Sequence, residues 1–197
     1  MNERILRDLY LIKLLSVSMI AKKFCVSEHK VNYWFSKYGI SKRSISEAVY
    51  IKKNPNGDPF KFKIPKTRTG LILFGLGIGL YWGEGNKRNK SSLRLGNVDP
   101  NLIKAYMSFL EKIYSVDKHK LRFGLQIFSD IFPESAKKFW MDILNIKSSQ
   151  FQKVIVTPTR GKGTYKHKSE YGVLTVYFNN SKLKKIMDGL IENFPLL

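Results

Sequence analysis

The sequence predicts an α+β chain of 197 residues: three short N-terminal helices, a basic linker, and a C-terminal domain of mixed or antiparallel sheet with helices on one face. Three observations predict this. Residues 2–37 place apolar side chains at three- and four-residue steps. Beyond Gly85, short alternating stretches are interspersed with amphipathic helical patterns, as in an α+β domain. Between the two lies an uncharged, glycine-studded apolar segment that ends on a single carboxylate, Glu84. The expected boundaries are 1–40, 41–68 and 69–197.

The N-terminal residues justify three helices in turn. Ile5, Leu6, Leu9 and Ile12 set the stripe of the first. Ser18 is placed to cap a second over Met19–Phe24, and Ser27 a third from Glu28 to about Lys37. Ile20, Ala21, Phe24, Val26, Val31 and Trp34 match a helix-turn-helix pattern, with Ala21 small at the crossing and the others forming a mini-core. Trp34 and Phe35 read as core residues rather than as platforms for bases. Cys25 stands where that turn favours glycine, and its expected role is a small buried side chain. In such a motif the third helix enters the major groove. Its expected contact residues are Ser27, His29, Lys30, Asn32, Tyr33 and Lys37, with Asn32 suited to adenine and Lys30 to guanine.

Gly39 closes the third helix, and Ser44–Ala48 allows a helical turn or more. The cluster Asn54-Pro55-Asn56-Gly57-Asp58-Pro59 is a turn. Phe60–Lys66 then alternates lysine with Phe60, Phe62 and Ile64. This arm either tracks a phosphate backbone while its apolar side packs on a domain, or is a plain tether.

In the apolar segment, Gly75, Gly79 and Gly83 recur every four residues and share one helix face. Glycine inside a helix costs about 1 kcal/mol relative to alanine, so a stripe of three points to close approach by another backbone. Two such helices side by side would bring two copies of Glu84 together, a natural divalent-metal site. The uncharged run is shorter than the roughly 20 apolar residues a membrane span needs.

Beyond Gly85, Ser92–Asn97 is a short strand, followed by a helix capped by Asp99 with Pro100 at its first position. Leu102, Ile103, Tyr106, Phe109, Leu110 and Ile113 form that helix's stripe. Leu121–Ile127 alternates as a strand. A helix over Glu134–Leu144, strands near Phe151–Val156 and Tyr171–Phe178, and a final helix marked by Leu183, Ile186, Met187, Leu190 and Ile191 complete the domain. The polar sheet face would carry Arg94, Arg122, Gln126, Thr175 and Tyr177, and a basic loop would carry Arg160, Lys162, Lys166 and Lys168, all suited to phosphate or base contact.

Composition bounds the partner. The net charge is +20, divided equally between residues 1–68 and 69–197. A hydrophobic fraction of 43% removes disorder as the cause of that charge. A polyanion contacted along the whole chain is expected, with double-stranded DNA favoured by the N-terminal motif and no small-molecule substrate. An anionic membrane surface would call for a separate basic amphipathic arm. A single cysteine excludes a disulfide framework and a cysteine-rich zinc site. The opening residues Glu3, Arg4, Arg7 and Asp8 make no secretory leader, so cytoplasmic, nucleoid-associated residence is expected.

Gly79-Leu80-Tyr81-Trp82-Gly83-Glu84-Gly85 resembles the end of the LAGLIDADG motif, in the variant closing Gly-Glu-Gly. That family contains homing endonucleases, RNA maturases and endonuclease-derived transcription regulators. Trp82 stands where the motif often has an inner aspartate. The resemblance covers about residues 69–145, and the remainder loosely. It implies that the glycine helix is a dimer seam and that Glu84 holds the metal-binding acidic position. A single motif implies a homodimer, each subunit giving one carboxylate, and a roughly palindromic target.

The expected activity is Mg²⁺-dependent (or Mn²⁺-dependent) hydrolysis of DNA phosphodiester bonds. Glu84 and a backbone carbonyl near Gly83 would hold the metal, and Lys153, Lys87 or Arg122 would stabilise developing charge. Lys87 and Arg88 fall in what would be a very short first DNA-reading hairpin. That shortness, with the N-terminal motif, suits the alternative: a non-catalytic, LAGLIDADG-derived DNA-binding transcription regulator. An intron-RNA maturase shares the charge, but the helix-turn-helix pattern speaks for duplex DNA.

Overall fold

The structure, a computed structural model, describes residues 1–159 and 169–193. The chain is α+β and divides into two compact units, Met1–Asp58 and Pro59–Leu197. The joint falls inside the stretch expected as a linker.

In the first unit, helix α1 (Glu3–Arg7) is capped by Asn2 and runs on as a π turn over Asp8–Ile12. The wider turn rotates the apolar stripe, and Ile12 is left 74% exposed. Helix α2 spans Val17–Lys23. Ser16 caps it rather than Ser18, accepting from the Met19 amide at 3.1 Å, while the Ser18 hydroxyl bonds Ser16 at 2.9 Å. Helix α3 (Glu28–Lys37) is capped by Ser27 as the sequence predicts. Between them Cys25 takes φ 53°, the left-handed backbone that glycine adopts freely, and its side chain is exposed rather than buried.

A Schellman turn closes α3. Gly39 sits at φ 61°, Ile40 N–H donates to the Phe35 carbonyl at 2.8 Å, and Gly39 N–H donates to Ser36 at 3.3 Å. The core of this unit is Leu6, Leu9, Tyr10, Ile20, Ala21, Val31, Phe35 and Ile40. Phe24, Val26 and Trp34 pack at its margin, because Phe35 takes the centre edge-on to Tyr10. Helix α4 (Ile45–Lys53) begins with a full Ser44–Glu47 capping box, yet buries no residue.

The second unit opens with the basic arm, which is strapped down. Lys61 and Lys63 donate their amides to the Tyr114 and Ile113 carbonyls, both at 2.7 Å, and Phe60 and Phe62 pack against the Tyr114 ring. These carbonyls end helix α6 (Pro100–Ile113) and have no partner inside it, so the arm satisfies them.

Helix α5 (Arg68–Glu84) follows, then β1 (Leu93–Asn97), α6, β2 (Arg122–Phe128), α7 (Pro133–Leu144), β3 (Ile155–Thr157), β4 (Val173–Phe178) and α8 (Ser181–Glu192). The sheet order is β1-β4-β2-β3. Strand β4 runs antiparallel to both neighbours, and the short β3 is parallel to β2. Phe151, expected within that strand, makes only an isolated bridge to Phe123.

Alternation settles the layers. Leu93, Leu95, Phe123, Leu125, Ile127, Leu174, Val176 and Phe178 are buried on one face, against Ile78, Tyr81, Tyr106, Phe109, Trp140 and Met187 from the four helices. The hairpin after Glu84 is reduced to one bridge, Gly85 to Leu95, with Asn86 N–H on the Arg94 carbonyl at 2.8 Å. On α8 the buried set departs from the apolar pattern: Ile186 is exposed and Lys184 is completely buried. No helix among the described residues is long and apolar enough to cross a membrane.

Candidate nucleic-acid interface

Helix α5 presents two unlike faces. Gly77, Ile78 and Tyr81 are buried, and the Phe109 ring lies over Gly77. On the other side Gly75, Gly79 and Gly83 look into open space, so a methyl group at any of them meets nothing within 4 Å. Leu71, Ile72, Leu76 and Trp82 flank that stripe and are all exposed. A helix of this hydrophobicity with an uncovered apolar side marks an interaction surface.

Glu84 ends the helix, exposed, and makes no hydrogen bond or ion pair among the described residues. The Gly83 carbonyl likewise receives no donor there. A carboxylate at the negative end of a helix, beside a free carbonyl, is a locus of negative potential that favours a cation. The Trp82 carbonyl is bonded by the Lys87 ammonium, so Lys87 stands within one residue of this locus. No group of three or more His, Cys, Asp or Glu side chains gathers among the described residues. At this locus one chain offers a carboxylate and a carbonyl, hard oxygen donors of the kind that Mg²⁺ takes alongside waters and phosphates.

Strand order separates Lys153 from Glu84. Glu84 adjoins the β1 edge through Gly85, whereas Lys153 precedes β3 on the opposite edge. Three strand spacings, roughly 14 Å, lie between those edges within one chain. Within one chain, Lys87 rather than Lys153 therefore lies on the Glu84 side of the sheet.

The open sheet face holds the expected polar residues in register. Arg94, Tyr177 and Arg122 form one row across β1, β4 and β2; Gly96, Thr175 and Gly124 form the next. The Tyr177 ring lies across Gly124, where a methyl group would meet it at 2.9 Å, and the Arg94 guanidinium sits 5.3 Å from the ring centroid. The result is an Arg-Tyr-Arg row beside two glycines that are covered by neighbouring side chains, Gly124 by Tyr177 and Gly96 by Thr175. Arg122 is held by the His119 and Leu121 carbonyls at 2.7 and 2.9 Å. Gln126 is exposed and donates to Thr157 at 3.3 Å. Lys87 and Arg88 are exposed beyond the β1 edge. Arg160, Lys162, Lys166 and Lys168 lie outside the described residues.

On α3, Ser27, His29, Lys30, Tyr33 and Lys37 are exposed. The Ser27 hydroxyl is engaged in capping, and the Lys37 ammonium lies 4.8 Å from the Trp34 ring centroid. Asn32 is different: it is half-buried, and its Oδ1 is enclosed with no partner among the described residues. To pair with adenine its side chain must turn outward. Two features escaped the pattern of residue types: the alignment of Arg94, Tyr177 and Arg122 in one row, which depends on cross-strand register, and the buried Lys184 behind the Glu84 segment. The Lys184–Asp188 spacing of four was visible, but it is equally common on a solvated helix face.

No family model, curated protein or solved structure matches the chain.

Proposed function

We propose that the chain is a DNA-binding protein that acts as a homodimeric, Mg²⁺-dependent endonuclease of the homing type, hydrolysing phosphodiester bonds in duplex DNA. One observation carries the reading: an unpaired carboxylate, Glu84, terminates an uncovered glycine-and-leucine helix face in a chain of net charge +20. Packing of that face on its counterpart in a second copy would set two carboxylates side by side. A divalent ion held by Glu84 and the Gly83 carbonyl supplies Lewis-acid polarisation of the phosphate and a more acidic water.

The chain's own residues do the rest. The Arg94-Tyr177-Arg122 row and the arm lysines bind backbone phosphates, α3 reads bases, and Lys87 offsets charge developing beside Glu84. A second reading, a non-catalytic DNA-binding regulator, draws on the hairpin reduced to a single bridge.

The experiment is supercoiled DNA carrying the native locus, incubated with Mg²⁺, with Ca²⁺, and with Glu84→Gln protein. The wild type is expected to nick in Mg²⁺ alone, and Glu84→Gln to lose at least about a hundredfold in rate, equivalent to roughly 3 kcal/mol of barrier. Tight, sequence-specific binding with no nicking would select the regulator.

The arm has its own measurement. Lys61, Lys63 and Lys66 are exposed while the backbone beneath the first two is fixed. Replacing all three with alanine is expected to reduce the slope of log K against log salt by about 2 to 3, near 0.9 per phosphate contact. An unchanged slope would mean that the arm lysines touch no phosphate.

A further inference from the structure

We infer that Lys184 and Asp188 of α8 are positioning residues for Glu84, a role that rests on the metal site proposed above. Lys184 is the one charged side chain buried among the described residues, with no exposed surface at all. Its ammonium pairs with Asp188 one helical turn on, lies 5.8 Å from the Tyr81 ring centroid, and reaches the Lys87 carbonyl at 3.5 Å. The Tyr81 hydroxyl donates to the Asn86 carbonyl at 3.3 Å.

These contacts converge on two peptide groups, the carbonyls of Asn86 and Lys87, directly downstream of Glu84. Gly85 joins them to the helix: its N–H donates to the Tyr81 carbonyl at 2.9 Å, and a methyl group there would fall 2.3 Å from Tyr81. The segment is thus clamped between Tyr81 below and Lys184 behind.

Stability alone does not explain the pair. Buried ion pairs are often no better than apolar residues of the same volume, because desolvation offsets the attraction. Apolar residues cannot supply a donor to the Lys87 carbonyl, and Lys184 does. A fixed Asn86–Lys87 backbone in turn holds the main chain that carries Glu84 and the place of the Lys87 ammonium on the Trp82 carbonyl.

The test compares the wild type with Lys184→Met/Asp188→Leu, which leaves no unpaired buried charge. Three readouts are taken on the full chain: circular dichroism, hydrogen exchange at residues 85–89, and Mn²⁺ affinity by electron paramagnetic resonance. The expected result is an intact fold with amides 85–89 exchanging about tenfold faster, as for a locally loosened segment. Mn²⁺ affinity is expected to fall about tenfold, the usual scale for groups that orient a metal ligand. Nicking should lose kcat with KM for DNA unchanged.

Unchanged exchange, or faster exchange with unchanged Mn²⁺ affinity, would overturn the proposal. Should the double variant fail to fold, Lys184→Met and Lys184→Gln are compared instead: amides 85–89 are expected to exchange fast in the first and slowly in the second, which keeps a donor for the Lys87 carbonyl, and equal rates in the two overturn the role. A wild type that neither binds Mn²⁺ nor nicks DNA sinks the metal site itself, and exchange at 85–89 then decides alone whether α8 holds this segment.

Discussion

Gly77→Leu is expected to lower the melting temperature of the Pro59–Leu197 unit by roughly 10 °C or more, from a destabilisation of about 3 kcal/mol. A Cβ built on Gly77 falls 2.1 Å from the Phe109 ring, far inside van der Waals contact. The ring has no room to withdraw. Phe109 is fully buried, with Phe74, Tyr106 and Tyr114 at centroid distances of 6.5, 6.1 and 5.4 Å. A side chain at 77 must therefore push α5 away from α6 or force Phe109 off its rotamer. The better helix propensity of leucine returns under about 1 kcal/mol, too little to compensate. Thermal melts followed by circular dichroism read the effect. An unchanged melting temperature would show that α5 and α6 are not in contact at this point.

Gly79→Leu, two residues on, is expected to leave the single chain folded and abolish the proposed dimer, together with whatever melting temperature association adds. A Cβ at Gly79 meets nothing within 4 Å, so within one chain the substitution is harmless and the gain in helix propensity is retained. In the proposed dimer it would lie in the middle of the glycine stripe, where the two backbones would come close. A branched side chain there would separate the helices and leave Leu71, Ile72, Leu76 and Trp82 unable to interlock. Sedimentation equilibrium should give a single chain of 22.8 kDa for the variant and twice that for the wild type. Cleavage should vanish as well, although each Glu84 remains intact. A fully dimeric variant would refute the seam.

Together these substitutions show what could be read in the sequence. The four-residue recurrence of Gly75, Gly79 and Gly83 marked one face, and the structure leaves that face open. Gly77 gave no such signal, because its need for a bare Cα depends on where Phe109 arrives from a different helix. Strands β2 and β4 and helix α6 were legible because alternation and 3.6-residue periodicity reflect burial directly.

Burial misled on α8, where periodicity counts residue types and cannot see that Asp188 makes a buried lysine tolerable. Ser16 and Ser18 offered the same capping chemistry two residues apart, and only the turn before α2 chose between them. Lys153 and Lys87 were equivalent as basic residues. Sheet order, which separates the first from Glu84, is a property of the assembled fold.

The arm's two hydrogen bonds have a practical meaning for anyone who recombines this protein. The boundary expected after Arg68 invites a cut at the start of the long helix. A fragment begun there would bare the Ile113 and Tyr114 carbonyls and strip the Phe60 and Phe62 rings from the second unit. A graft that exchanges the first unit for another must instead break the chain between Asp58 and Pro59, so that residues 59–67 travel with the helix they serve.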